Sequence, residues 1–284
     1  MADNKQKYRW NSHMTEIINF RVGRYKISFE ILNILMTEKY EGNATQVPSG
    51  DGTLLGVINY QKVPTPIYDL SMILEGVTAK DKMSDLVELL HAREKDHVDW
   101  INSLEESIET GSPFTKAKDP KQCTFGKWYE SFESENDDLT HILKKFDEPH
   151  VQIHHLADPL LTQAQNEGKE EALKTLSRHK QKTLGSLRGL FAAAREAVTS
   201  SYKPVIVYTT LDGSTPCLGF LVESVEDALT IEGSDIKSFS NDGAIQFMGD
   251  LNLPEMISGL ITKNDVNSLL IDPKLVTTEL PETA

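Results

Sequence analysis

The sequence predicts a mixed fold, an all-β domain of small-barrel or sandwich type split by an inserted antiparallel bundle of about four helices. Three observations carry this. Apolar residues alternate at period two near both ends of the chain, and they recur at three-to-four spacing between roughly residues 77 and 201. Neither β flank holds enough short strands to complete a domain alone. The expected division is residues 1–76 plus 202–284 for the discontinuous β-domain and 77–201 for the helical insertion.

The elements follow in order. Ile18, Phe20 and Val22, then Gly23-Arg24, then Tyr25, Ile27 and Phe29 read as a hairpin with a two-residue turn. Short strands follow at Leu54 to Asn59 and, after two prolines, at Ile67 to Leu70. Leu86, Leu90, Arg93, His97, Ile101, Leu104 and Ile108 form one face of a long helix, and Leu139, Leu143 and Phe146 begin another. Asp147 reads as an N-cap, with Pro149 in the first turn beyond it. Lys169 to Val198 carries Leu173, Leu176, Leu184, Leu187, Phe191 and Ala194 at the same period. Short loops between such helices favour antiparallel packing. Past residue 203 the β texture returns at Val205 and Val207, Leu218 to Val222, and Ile257 to Ile261, punctuated by Gly213, Pro216, Pro254 and Gly259.

Composition excludes several function classes. A net charge of −14 over 284 residues, with no basic stripe, argues against a nucleic-acid partner. No run of about 18 apolar residues is present, so no membrane insertion is expected, and the polar N-terminus has no apolar signal core. Two cysteines, Cys123 and Cys217, cannot form a disulfide framework and are expected as reduced thiols in a cytoplasm.

Cys123 sits in the string Gln-Cys-Thr-Phe-Gly-Lys-Trp-Tyr-Glu. His97 takes a core-facing slot in the long helix, with Trp100 three residues on. His150 and His154 would project side by side on a helix, about 5–6 Å apart at Cβ. Each feature has an ordinary reading: a lone core histidine is usually hydrogen-bonded, an i, i+4 pair arises easily among eight histidines, and a lone cysteine is usually a small hydrophobe. Together, one thiol and three imidazoles match the ligand set zinc takes in tetrahedral sites. His155, His141, His91 and His179 stay open as substitutes, His155 being turned about 100° from His154.

The order Asp-His97-Val-Asp-Trp100, Cys123-Thr-Phe-Gly-Lys-Trp-Tyr129, Pro149-His150-Val-Gln-Ile-His154 resembles the bacterial chemoreceptor zinc-binding (CZB) family, a four-helix bundle. The resemblance implies Zn2+ held by His97, Cys123, His150 and His154. Pro159 should break or kink the last helix, beyond the ligands. Four protein ligands would fill a tetrahedral sphere, whereas catalytic zinc ordinarily keeps a position open, so no enzyme is expected. The resemblance implies instead a sensor of zinc or of hypochlorous acid, with Cys123 as the redox-sensing thiol. The alternatives are a purely structural zinc and a zinc-dependent enzyme in which one histidine is not a ligand.

Gly56-Val-Ile-Asn59-Tyr-Gln-Lys-Val-Pro-Thr-Pro66-Ile-Tyr-Asp69-Leu70, Gly219-Phe-Leu-Val-Glu-Ser-Val225, and Ile257-Ser-Gly-Leu-Ile with Leu269-Leu-Ile-Asp272 resemble the chemotaxis coupling-protein (CheW) family. That resemblance implies two small β-barrels side by side and a chemotaxis signal-transduction adaptor. Its implied partners are a chemotaxis histidine kinase and methyl-accepting chemoreceptors, and it leaves a homodimer open. Gln61-Lys62 stands where the family has Arg-Gly, which places any contact made through that arginine in question, since an amide cannot replace a guanidinium fork.

Overall fold

The N-terminal alternation folds as the hairpin it predicts, β1 (Thr15–Val22) pairing antiparallel with β2 (Tyr25–Glu30) from Ile17↔Glu30 to Val22↔Tyr25. Gly23 takes φ +54° at the first turn position, where a side chain would be strained. These coordinates come from a computed structural model, which describes residues 14–48, 52–238, 256–264 and 266–277. Pro254 and the polar N-terminal residues 1–13 lie outside the described residues.

The chain divides into two units, residues 1–81 with 203–284, and residues 82–202. In the first, β3 (Ile34–Lys39), β4 (Leu54–Tyr60) and β5 (Val63–Asp69) precede the helices. β6 (Val205–Thr210), β7 (Pro216–Val222), β8 (Ser224–Ile231), β9 (Ile236–Ser238), β10 (Ile257–Lys263) and β11 (Val266–Ile271) follow them. One sheet runs β8-β1-β2-β11-β10-β9 and the other β3-β6-β7-β5-β4. Each sheet therefore needs strands from both sides of the insertion, which is the split β-domain the sequence predicts.

Period-two alternation gives each sheet two apolar faces. Phe20, Phe29, Val207, Leu218 and Phe220 meet in a core common to both sheets. Ile17, Ile231, Ile261 and Leu270 fill a small core of the first sheet, and Ile58, Ile67, Ile206 and Tyr208 one of the second. β3, β8 and β9 have no clear sequence signal. β8 alternates poorly and is largely exposed, so it is held by its pairing with β1 rather than by burial.

β5 begins at Val63, earlier than the prolines suggest, and Leu70 opens a helix instead of ending a strand. Pro64 and Pro66 are tolerated because β7 pairs with β5 only from Ile67 onward, so their missing N–H groups remove no bond from that ladder. The helix α1 (Leu70–Glu75) is capped by Asp69, whose Oδ1 accepts from the Ser71 and Met72 N–H groups at 2.9 and 3.1 Å. β5 and β6, the strands nearest the insertion on either side, both flank β7.

Gln61 and Lys62 close the β4–β5 hairpin with φ +50° and +69°, a pair of left-handed residues where Asn-Gly is favoured. Lys62→Gly is expected to stabilise the β unit by about 0.5–1 kcal/mol, because the relieved strain exceeds the entropy glycine adds to the unfolded chain. Urea denaturation checks this, and a loss of stability would show that the lysine side chain holds the turn.

In the second unit α2 (Ala79–Thr110) carries the long apolar face, and α3 (Thr124–Ser131) follows it. α4 (Asp137–Leu143), a 3₁₀ turn at Lys144–Phe146, α5 (Asp147–His154) and α6 (Ala157–Asn166) make a broken rod. α7 (Lys169–His179), a π turn at Lys180–Leu184 and α8 (Gly185–Ser201) run on without leaving helical backbone, the one helical stretch that the period from Lys169 to Val198 predicts, with a π bulge inside it. α4 packs on α8 and α6 on α7, an antiparallel arrangement. α2 also runs against α7–α8, since Glu94 meets Arg188 and Arg195 while Glu105 meets Lys180. Trp100, Ile101, Leu104, Phe125, Phe146 and Phe191 lie in one shared core.

Asp147 is not an N-cap. The 3₁₀ turn carries helical backbone straight into α5, and the Asp147 carboxylate accepts instead from the Tyr129 hydroxyl at 2.8 Å. As expected, α5 ends before Pro159, which sits in the first turn of α6. Among the described residues no helix is long and apolar enough to cross a membrane.

Candidate metal centre

His97 occupies its predicted core slot on α2 and is buried. Its Nδ1 lies 2.7 Å from the Arg93 carbonyl oxygen one turn earlier. A carbonyl only accepts, so the proton sits on Nδ1 and Nε2 is left bare. The α5 face buries His150 and His154 while leaving His155 exposed. His154 Nδ1 donates to the Ala117 carbonyl at 2.9 Å, again freeing Nε2. Cys123 N-caps α3, its sulfur accepting from the Gly126 N–H at 3.1 Å. The same sulfur lies 3.2 Å from His150 Nε2.

One donor atom from each of His97, Cys123, His150 and His154 lies within 4.8 Å of every other. The substitutes are elsewhere: His91, His141 and His155 are exposed, His179 is half-buried, and none joins the quartet. The three imidazoles stand edge to face, with ring centroids 4.9 to 5.7 Å apart. Phe125 and Phe191 wall them on the core side. A cavity of about 220 Å³ reaches His97, Cys123 and His154, lined in part by Asp96, Asp99, Trp100 and Lys116.

The quartet fits a zinc ion. His97 Nε2 and His154 Nε2 are buried with no hydrogen-bond partner, an arrangement that costs about 1–3 kcal/mol per atom unless something electrophilic lies between them. A tetrahedron of zinc–nitrogen and zinc–sulfur bonds has edges of about 3.3–3.6 Å, so the donors need to close by little more than 1 Å. The carbonyls on Nδ1 of His97 and His154 supply the outer hydrogen bonds that orient ligating imidazoles.

Burial pushes the Cys123 thiol up, against the backbone N–H groups of Gly126 and Phe125, which favour the thiolate. Burial, with repulsion from its histidine neighbours, holds His150 down to about 3. Burial likewise holds His154 down to about 4, against its bond to Ala117. In the folded metal-free protein both rings stay neutral, whereas in the unfolded chain they protonate near pH 6.5. Stability is therefore present above about pH 6.5 and lost as pH falls toward the folded values. With two rings, chelated protein is expected to lose about 2–2.5 kcal/mol per pH unit between about pH 6 and 4.5. Denaturant unfolding of the helical unit measures this, and a flat profile would contradict the buried neutral imidazoles.

Residues 97–161 match the chemoreceptor zinc-binding domain family. That segment spans all four donors and runs from mid-α2 to Leu161 in α6. Among solved structures, the scaffolding protein TtCheW from Thermoanaerobacter tengcongensis is similar at 10% identity and a TM-score of 0.41, over 95% of this chain and 98% of that chain. No curated protein matches the chain.

Within the matched segment, sequence reasoning missed three contributors. The Ala117 carbonyl is a backbone group without a sequence signature. Gly126 is needed because a Cβ there would collide with the Pro120 carbonyl oxygen, so the close approach of the 120–122 turn to α3 depends on it. A glycine inside a helical stretch is the signal that points to such an approach. Tyr129 donates to the Leu143 carbonyl at 3.0 Å and to Asp147, fastening the helix that Cys123 caps to the one that bears His150.

Proposed function

We propose that this chain is a chemotaxis signalling adaptor of the cytoplasm. Its β unit couples chemoreceptors to a histidine kinase, and its inserted bundle senses zinc or an oxidant through Cys123. The observation that carries the reading is the convergence of one thiol and three imidazoles within 4.8 Å, inside a segment that matches the chemoreceptor zinc-binding domain. The adaptor part is supported by the three β segments whose order and residues resemble coupling proteins, Gly56 to Leu70, Gly219 to Val225 and Ile257 to Asp272.

His97, Cys123, His150 and His154 would hold the ion. With an ion there, the Cys123 sulfur would be held as an electron-rich thiolate, open to a two-electron oxidant. With hypochlorous acid the sulfur gives up two electrons, chlorine leaves as chloride, and oxygen stays on sulfur as a sulfenic acid. Cys123 then ceases to be a good donor, and the three histidines no longer share a partner with α3. Because Cys123 caps α3 through the Gly126 N–H, the same change loosens that helix. The insertion is tied into the β unit by the chain at both ends, after α1 and before β6, so rearranged helices would act on that unit through those two connections. The reading assigns no catalysis, since four protein donors leave no position for substrate.

The test is co-sedimentation with chemoreceptor signalling fragments and histidine kinase, together with kinase autophosphorylation, using zinc-loaded, chelated and hypochlorite-treated protein. A severalfold change on chelation or oxidation, with Cys123→Ala insensitive to oxidant, is expected. Co-sedimentation indifferent to metal and oxidant would leave a passive scaffold with a structural zinc. No co-sedimentation would remove the adaptor reading.

A further inference from the structure

The histidines of the quartet are not held alike. His97 is fixed by a carbonyl of its own helix, within an α2 turn that moves only if the helix does. His154 is fixed by Ala117, which lies in the irregular segment between Gly111 and Asp119. That carbonyl oxygen has two lone pairs and uses both, accepting from His154 Nδ1 at 2.9 Å and from Trp100 Nε1 at 2.7 Å. Trp100 is buried on α2, with its ring edge-on to His154 at 5.1 Å and to Phe114 of the same segment at 5.0 Å. The cavity that reaches Cys123 runs along this strap, past Trp100, Lys116, Ala117 and His154.

We propose that Trp100 is a positioning residue: through the Ala117 carbonyl it fixes His154 in the tautomer that presents Nε2 to the other donors, which makes the 111–119 strap the latch on one ligand. With the indole N–H removed, His154 Nδ1 is the only donor left on the carbonyl, nothing on α2 holds that oxygen in place, and the acceptor that selects the His154 tautomer is free to turn. His97 is unaffected, because its acceptor belongs to α2. His154 is thus the arm that leaves first when the strap lifts. The metal part of this inference rests on the zinc reading above, whereas the tautomer part does not.

The test compares Trp100→Phe, which keeps an aromatic ring and loses the donor, with Phe114→Leu, which alters packing on the same ring and has no polar atom. In chelated protein, long-range proton–nitrogen NMR of the imidazoles reads each tautomer directly. Trp100→Phe is expected to mix the tautomers of His154 and leave His97 as it was, while Phe114→Leu leaves both unchanged. In zinc-loaded protein, Trp100→Phe should speed metal release to a chelator severalfold, less than the roughly tenfold-to-hundredfold loss of affinity that follows removal of a ligand's own outer hydrogen bond, because the Ala117 carbonyl itself remains. A parental His154 tautomer in Trp100→Phe overturns the proposal, as do equal effects of the two variants or equal disturbance of His97 and His154. If the parent itself binds no zinc, the zinc reading fails, and the tautomer comparison still decides the role of Trp100.

Discussion

Cys123→Ala lowers zinc affinity by on the order of a thousandfold and leaves the β unit folded. Structural zinc sites bind with about 10–16 kcal/mol, so one donor of four accounts for roughly 3–4 kcal/mol, or two to three decades. The remaining histidines do not compensate, because the exposed His91, His141 and His155 lie outside the cluster. The β unit should stay folded, since both of its sheets are built from strands outside residues 82–202. Competition with a chromophoric chelator gives the affinity, and the backbone NMR spectrum reports the sheets. Parental affinity in this variant would remove Cys123 from the ligand set and end its role as the oxidant-sensitive group.

Gly126→Ala has the second large effect, through geometry rather than chemistry. An added methyl meets the Pro120 carbonyl oxygen and must push the 120–122 turn off α3. Cys123 lies between the two, so its sulfur moves with them and the Gly126 N–H bond lengthens. Overpacking against backbone costs about 1–3 kcal/mol, and loss of the donor geometry adds to the effect on zinc. The contrast is Gly189→Ala in α8, where nothing lies within 4 Å of an added Cβ. There alanine should stabilise the helix by about 0.5–1 kcal/mol and leave zinc affinity alone. Equal behaviour of the two variants would show that the approach of Pro120 to Gly126 is not tight.

Much of this was legible in the residues. The hairpin at Gly23 and the α2 face were readable because side-chain period is a direct consequence of backbone geometry. The His97 slot was readable because a polar residue in an apolar series stands out, and His150 with His154 because four residues make one helical turn. Cys123 was legible as a candidate but not as an N-cap, since nothing in its type announces that its sulfur accepts a backbone N–H. β3, β8 and β9 were not legible, because sheet-edge strands with exposed faces need no alternation. Asp147 misled for a related reason: its type suits a cap, yet the chain never leaves helical backbone before it, and Tyr129 claims its carboxylate. The Trp100–Ala117–His154 relay was half visible, in the Trp three residues after His97, while the carbonyl that joins them was not.

X-ray absorption at the zinc edge of the purified protein tests the quartet most directly. The expected result is four-coordinate zinc with one sulfur at about 2.3 Å and three nitrogens at about 2.0–2.1 Å. A sphere without sulfur, or with a water oxygen in place of an imidazole, would contradict it.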